Sequence, residues 1–289
     1  MKVALLSTEN LDDFVCYDEL LTTPLAELGW EVEVVPWRAD EDWNRFAAVI
    51  VRSPWDYQDE PERFIQVLKE IDATSCRLEN ALELITWNLD KRYLIDLKNQ
   101  GVPIVPTNFH DNFESDNLYQ AFDIFSCDEI ILKPCISANA DDTFRLAREE
   151  IADTKFQFES LFQDRPHMVQ PFLKTVVRKG EHSFFYFDGE FSHAILKTPK
   201  PGDFRVQEEH GGVLQSVKPS SDSLKACGKI MSSLKHTPLY ARIDLVFEKY
   251  ENLLMEIELI EPSLYFNLDS RSAGRFASAF NKRMVSRTD

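Results

Sequence analysis

Basic residues are in short supply: 32 Lys and Arg face 49 Asp and Glu, a formal charge of −17. A surface of that sign repels nucleic acid and anionic bilayers, which excludes both as expected partners. Long apolar runs are missing too, and nothing approaches the roughly 20 residues that cross a bilayer. The opening Met1-Lys2-Val3-Ala4-Leu5-Leu6-Ser7 leads quickly to Glu9, without the apolar core and cleavage site of a signal peptide. It reads as a first strand, and the expected location is cytoplasmic. Five cysteines (Cys16, Cys76, Cys127, Cys135, Cys227) lie far apart, with no C-x-x-C pair and no histidine cluster nearby. That excludes a disulfide framework or a zinc site as the expectation, leaving reduced, mostly buried thiols. No Ser-His-Asp or Cys-His arrangement, internal repeat or low-complexity tract stands out. Glycine is rare, nine in all, and five of them (Gly180, Gly189, Gly202, Gly211, Gly212) crowd into positions 180–212. Such a cluster marks tight turns or backbone that must approach a ligand closely.

What is present alternates strand and helix at first. Val3–Ser7, Glu31–Val35 and Ala47–Val51 carry strand patterns, separated by a helix that stops at Gly29. A second helix starts at Pro61, with Phe64, Leu68 and Ile71 on one face. This order predicts a parallel sheet with crossover helices. The segment after the third strand, Arg52-Ser53-Pro54-Trp55-Asp56-Tyr57, then lies at a carboxyl edge, where open α/β sheets bind ligands. One helix is expected over 86–100, a small α+β insertion over 108–172 with a helix at about 145–163, and antiparallel strands beyond. Asp188-Gly189 between two apolar runs is a strong hairpin signal. A C-terminal helix is expected over about Ser270–Met284.

The chemistry concentrates in the last hairpin. Ala241, Ile243, Leu245 and Phe247 are apolar, so Arg242 and Asp244 face the other side; in Met255–Leu259 the same alternation puts Glu256 and Glu258 together. With an odd-length connection Asp244 falls opposite Glu256 or Glu258. Like charges there destabilise a sheet pair unless a cation intervenes, and oxygen ligands of this kind suit Mg²⁺ held together with phosphates. The plainer alternative is the solvated face of an amphipathic hairpin. Lys133 and Lys197 at strand ends, Lys91 on the preceding helix, and Arg205 in Gly202–Gln207 are cations of the type that neutralise a polyphosphate. Taken singly, each reads more readily as a surface charge.

The ordered set Asp90-Lys91, Lys133-Pro134, Gln170-Pro171-Phe172-Leu173, Gly180-Glu181, Lys197…Arg205…Gly211-Gly212 and Asp244…Glu256-x-Glu258 resembles the ATP-grasp superfamily. It is most similar to the branch of prokaryotic glutathione synthetase. Within it, Arg52–Tyr57, Gly202–Gln207 and Glu258–Leu264 resemble the group of the cyclo-ligase that closes O-ureido-D-serine to D-cycloserine. The resemblance implies an α/β ATP-grasp fold: an N-terminal parallel-sheet domain (1–85), a connecting helix and strand (86–107), an α+β lid (108–172) and a C-terminal antiparallel-sheet subdomain with the metal site (173–289). It also implies an ADP-forming ligase that activates a small carboxylate, an amino acid, as an acyl phosphate and joins it to a nitrogen, within one molecule or between two. Lys91 and Lys133 would meet the ATP phosphates, Gln170, Phe172 and Leu173 the adenine, and Glu181 the ribose. Lys197 and Arg205 would hold the transferred phosphoryl group, and Asp244, Glu256 and Glu258 a pair of Mg²⁺ ions, replaceable by Mn²⁺. Arg52, Trp55, Asp56, Tyr57 and Arg271 are candidates for the substrate, with Trp55 and Tyr57 equally suited to packing. Self-association is left open.

Two departures from the family pattern stand out. The loop Cys135–Thr143 has no glycine where the family closes glycines over the phosphates, and Glu258 replaces the usual Asn of Glu-x-Asn. The first keeps a second expectation alive, a regulatory nucleotide-binding module without turnover.

Overall fold

The structure is a computed structural model that describes residues 1–12, 14–249 and 251–286. The N-terminal apolar runs form β1 (Lys2–Ser7), β2 (Glu31–Pro36), β3 (Ala48–Ser53) and β4 (Arg77–Glu79). They pair in the order β2-β1-β3-β4, all parallel. Helices α1 (Thr22–Glu27) and α2 (Pro61–Asp72) make the crossovers. Period-two alternation gives this sheet two apolar faces. Ala4, Leu6, Val49 and Val51 pack on Phe64, Leu68 and Ile71 of α2. Val3, Leu5 and Ile50 face a core shared with the C-terminal unit. The strand extends two residues beyond the expected Val51, so Arg52 lies inside β3 rather than in the loop after it.

The helix expected over 86–100 is broken in two, α3 (Leu82–Asn88) and α4 (Tyr93–Asn99). The cause is local: the Asp90 carboxylate accepts the amide of Arg92 at 2.8 Å, a side-chain turn that competes with the helical backbone and leaves Lys91 between the two helices. In the next unit β5 (Asn108–His110), α5 (Ser115–Phe125), β6 (Glu129–Pro134), β7 (Phe144–Ala147), α6 (Ile151–Phe162) and β8 (His167–Pro171) build an antiparallel sheet, order β5-β8-β6-β7, over its own core. β7 occupies the start of the segment read as helix from 145, because Phe144 and Leu146 alternate against β6.

The last unit contains α7 (Lys174–Lys179), β9 (Glu181–Phe187), β10 (Glu190–Thr198), β11 (Val213–Ser216), α8 (Ser221–Ser232), β12 (Tyr240–Glu248), β13 (Glu251–Glu258) and α9 (Ser272–Val285). Its sheet runs β11-β10-β9-β12-β13, antiparallel throughout. Asp188 and Gly189 both take positive φ (48° and 81°), the geometry of a two-residue hairpin turn. No described helix is long and apolar enough to cross a membrane.

One core contact makes the fold pH-sensitive. His193 lies stacked on Phe185 at 4.2 Å, with Nε2 3.1 Å from the Leu264 carbonyl. Burial pushes its pKa down to about 4, below the roughly 6.5 of an exposed imidazole. Protonation therefore favours the unfolded chain: the stabilisation is complete above pH ~6.5 and lost as pH falls toward ~4. Urea denaturation at pH 7 and 4.5 should show wild type losing about 2 kcal/mol more than His193→Gln over that interval. Equal losses in the two proteins would refute this assignment.

Candidate active site

Between the antiparallel sheets and the carboxyl edge of the parallel sheet lies a cleft with a cavity of about 210 Å³. One wall is the face of β9, β10, β12 and β13 that alternation had left polar. Register places Asp244 opposite Glu256, Arg242 opposite Glu258, and Ser183 of β9 beside Asp244. Glu181 pairs with Lys197 across β9 and β10. A register shift between Asp244 and Leu245 lets Met255 stand without a partner. β13 is the edge of its sheet, yet its end is pinned. Asn88 Nδ2 donates to Ile257 O at 2.8 Å and its Oδ1 accepts from Leu259 N at 2.8 Å; the Tyr93 hydroxyl bonds both backbone groups of Ile257 at 3.0 Å. The strand bearing the acids is thereby held rigidly against α3 and α4.

The acids are ion-paired inside the cleft. Lys197 Nζ lies 2.5 Å from Glu181 and 3.2 Å from Asp244. Arg242 lies 3.1 Å from Asp244 and also pairs with Glu258. Lys91 Nζ lies 3.1 Å from Glu256 and donates to Ser137 O at 2.8 Å. Burial alone would raise every carboxylate here. Arg242 and Lys197 overcome it at Asp244, and Lys91 and Lys133 at Glu256, so both lie below the usual range. At Glu258 burial wins over Arg242 and pushes the pKa up to about 8; at Glu261 it reaches about 7. Lys133 projects from β6 into the cleft, half-buried, and its ammonium has no hydrogen bond or ion pair among the described residues. Burial lowers its pKa. A desolvated, unpaired lysine is a ready anion ligand.

The glycine-poor loop is shaped without glycine. Asn139, Ala140 and Asp142 take left-handed φ of 49°, 59° and 48°, a conformation costing roughly 1 kcal/mol or more outside glycine. The loop is braced from three sides. Gln58 donates to Asp141 at 3.3 Å, Arg165 pairs with Asp142 at 2.6 Å, and His210 Nε2 lies 3.2 Å from Asn139 O. Gly212 is required for another reason: a Cβ there would stand 2.1 Å from the Val206 carbonyl, which closes the loop carrying Arg205.

Most residues singled out from sequence share this cavity: Lys91, Lys133, Gln170, Phe172, Leu173, Glu181, Lys197, Arg205, Asp244, Glu256, Glu258, Trp55 and Tyr57. Three others are elsewhere. Arg52 is fully buried beneath the cleft, bonded to Asp18 at 2.9 Å and Pro262 O at 2.9 Å. Asp56 accepts from Thr8, Trp37 and Arg38 within the N-terminal unit. Arg271 lines a separate surface groove along α9. Trp55 also packs, as its indole donates to Glu261 O at 2.8 Å. Sequence reasoning gave no role to Arg242, although alternation put it on the acidic face. Phe14, Glu209, Glu261 and Tyr265 line the cleft from loops that carry no periodic signal.

The donors fit a magnesium ion chemically: three carboxylates on adjacent positions of two paired strands, within a cleft that holds cations for phosphate. As arranged, each acid is turned toward a basic neighbour, and no three His, Cys, Asp or Glu side chains converge on an ion site among the described residues. Metal entry would exchange those pairings for oxygen–metal contacts.

The family model of the prokaryotic glutathione synthetase ATP-grasp domain matches residues 114–272, more than half of the chain. The chain belongs to the ATP-grasp family: it is an ATP-dependent carbon–nitrogen ligase of the ADP-forming kind, and the family uses ATP with a divalent metal. Residues 3–80 match the family model of the D-cycloserine synthetase DcsG N-terminal domain. The cycloserine biosynthesis protein DcsG of Streptomyces lavendulae is 31% identical over 89% of this chain and 90% of its own length. The crystal structure of D-cycloserine synthetase DcsG superposes with a TM-score of 0.88 at 27% identity, covering 98% of this chain and 100% of that one. The fold also matches the D-alanine–D-alanine ligase of Bacillus anthracis, TM-score 0.69 at 11% identity, over 99% and 98% of the two chains.

Proposed function

We propose that this ligase activates the carboxylate of a small amino acid as an acyl phosphate and closes a carbon–nitrogen bond within the same molecule. The observation that carries the reading is the opposition, in one cavity, of Lys91, Lys133, Lys197, Arg205 and Arg242 to Asp244, Glu256 and Glu258. Phosphoryl transfer asks a protein mostly for positioning and charge neutralisation. Lys91 and Lys133 orient the ATP phosphates, while Gln170, Phe172 and Leu173 receive the adenine and Glu181 the ribose. Lys197, Arg205 and Arg242 spread the charge that develops as the terminal phosphoryl group moves to the substrate carboxylate. A second nitrogen, carried on the substrate's side chain, then attacks the acyl carbon; the C–N bond forms, the C–O bond to phosphate breaks, and inorganic phosphate leaves with the proton that the nitrogen gives up. Asp244, Glu256 and Glu258 would hold Mg²⁺, or Mn²⁺ in its place, which would neutralise phosphate oxygens. Trp55 and Tyr57 border the substrate. The names of the relatives, cycloserine biosynthesis protein and D-cycloserine synthetase, support ring closure over joining two molecules.

The test is ADP release by purified protein with ATP, Mg²⁺ and pools of small amino acids, including O-substituted serines of both hands. The expected product has the substrate's mass less one water. A product containing two joined substrates would overturn the cyclisation, and absence of ADP with every pool would overturn the amino-acid reading.

A further inference from the structure

The loop that carries Arg205 into the cleft is shaped by its own sequence. Pro201 and Gly202 hold the two central positions of a turn, which the Asp203 amide closes on Lys200 O at 3.1 Å, with Gly202 at φ 87°. Asp203 then turns its carboxylate back on the chain. Its Oδ1 accepts the amides of Phe204 at 2.7 Å and Arg205 at 3.0 Å, which fixes the acid to the loop. The same carboxylate takes one edge of the Arg205 guanidinium: Nε donates to Oδ1 at 3.1 Å and Nη2 to Oδ2 at 2.9 Å. Lys200 is a looser neighbour, half exposed and 3.8 Å away. The Asp203 side chain is only 10% exposed, against 36% for Arg205. Phe204, between the two, sets its ring edge-on to Phe172 at 6.3 Å, and the Arg145 guanidinium lies over the Phe172 ring at 3.9 Å. Phe204, Arg205, Val206 and Gln207 line the cavity, whereas Asp203 is not part of its lining.

An arginine carries five N–H donors in a rigid plane, so a carboxylate on one edge fixes where the other three point. Without such a clamp a long side chain on a loop samples many rotamers, and a group that must meet a moving phosphoryl loses rate with each misplacement. We propose that Asp203 is a positioning residue for phosphoryl transfer: it touches neither nucleotide nor substrate, and it acts by aiming the free edge of Arg205 at the terminal phosphoryl group. The inference rests on the role given to Arg205 above and adds what directs that side chain. The hydrogen bonds from Arg205 hold the Asp203 carboxyl well below the usual carboxylate range, so the clamp stays charged through neutral pH. A partly exposed ion pair adds little to stability, which separates aiming from folding.

The test is a double-mutant cycle with Asp203→Asn, Arg205→Gln and the two combined. Asparagine keeps the oxygen that caps the turn and removes the charge and the second acceptor. ADP release is measured with an amino acid that wild type accepts. Affinities for ADP and for a non-hydrolysable ATP analogue, both with Mg²⁺, are measured by titration calorimetry without amino acid. Asp203→Asn should lower kcat about 30-fold and raise KM for ATP no more than about fivefold, with an unchanged melting temperature. It should weaken the ATP analogue about fivefold and ADP not at all, since only the analogue carries the terminal phosphoryl group. In the Arg205→Gln background the same change should alter neither rate nor affinity by more than about twofold. Independent losses that multiply in the combined variant would overturn the inference. Losses in Arg205→Gln but not in Asp203→Asn would do the same and leave the phosphoryl role of Arg205 standing. Arg205→Gln without either loss would fell that role and the inference with it. The calorimetry decides between these outcomes even where no amino acid is turned over.

Discussion

An Asp244→Asn enzyme should release ADP about a thousandfold more slowly than wild type, at saturating ATP, Mg²⁺ and substrate. Asp244 is the carboxylate on which the site converges. Lys197 and Arg242 both contact it, Ser183 donates to it, and β12 sets it across from Glu256. Asparagine has nearly the same shape and still accepts the Ser183 hydrogen bond, so the sheet should persist. What disappears is one negative charge between two cations, and with it a proposed oxygen ligand for the metal. Isothermal titration with Mg²⁺ and a non-hydrolysable ATP analogue should show weaker metal-dependent binding in the same variant. Retention of more than about a tenth of the wild-type rate, with binding unchanged, would remove Asp244 from the phosphoryl-transfer machinery.

The largest stability effect is expected at Asn80, far from any reacting group. Its side chain is fully buried at the end of the parallel sheet. Nδ2 donates to Tyr240 O at 2.9 Å and Leu259 O at 2.8 Å, and Oδ1 accepts from Leu239 N at 2.6 Å. One amide thus satisfies backbone groups at the start of β12 and just past the end of β13, and joins the N-terminal unit to the acidic hairpin. Asn80→Ala would leave three buried backbone groups unpaired, each costing roughly 1–3 kcal/mol. A loss of about 4 kcal/mol is expected, read as a lowered midpoint in urea denaturation. A change below about 1 kcal/mol would mean that water or a repacked chain meets those groups.

The parts that were legible from sequence are the periodic ones. Alternation in Ala241–Phe247 and Met255–Leu259 was enough to put Asp244, Glu256 and Glu258 on one face, because strand geometry leaves only two sides. Asp188-Gly189 specified its own turn for the same kind of local reason. Arg52 was misread because its strand continues past the last apolar residue of the run; its burial depends on Asp18, 34 positions earlier, and Pro262, 210 positions later. Lys91 was placed on a continuous helix because helical spacing runs through 86–97, whereas the Asp90 carboxylate competes for the backbone and breaks it. β7 was lost in a helical reading since its four residues gain strand character only from β6.

Local chemistry along the chain therefore determined the strands, the turn and the inventory of phosphate- and metal-type side chains, since side-chain direction follows from backbone period alone. Tertiary structure decided which charges meet. It paired Lys91 with Glu256 and Arg242 with Glu258, left Lys133 without an ion pair among the described residues, and brought Phe14, Glu209 and Tyr265 to one cleft from distant parts of the chain. Coulomb and hydrogen-bond energies depend on distance through space, and separation along a chain says little about that until the sheets have packed.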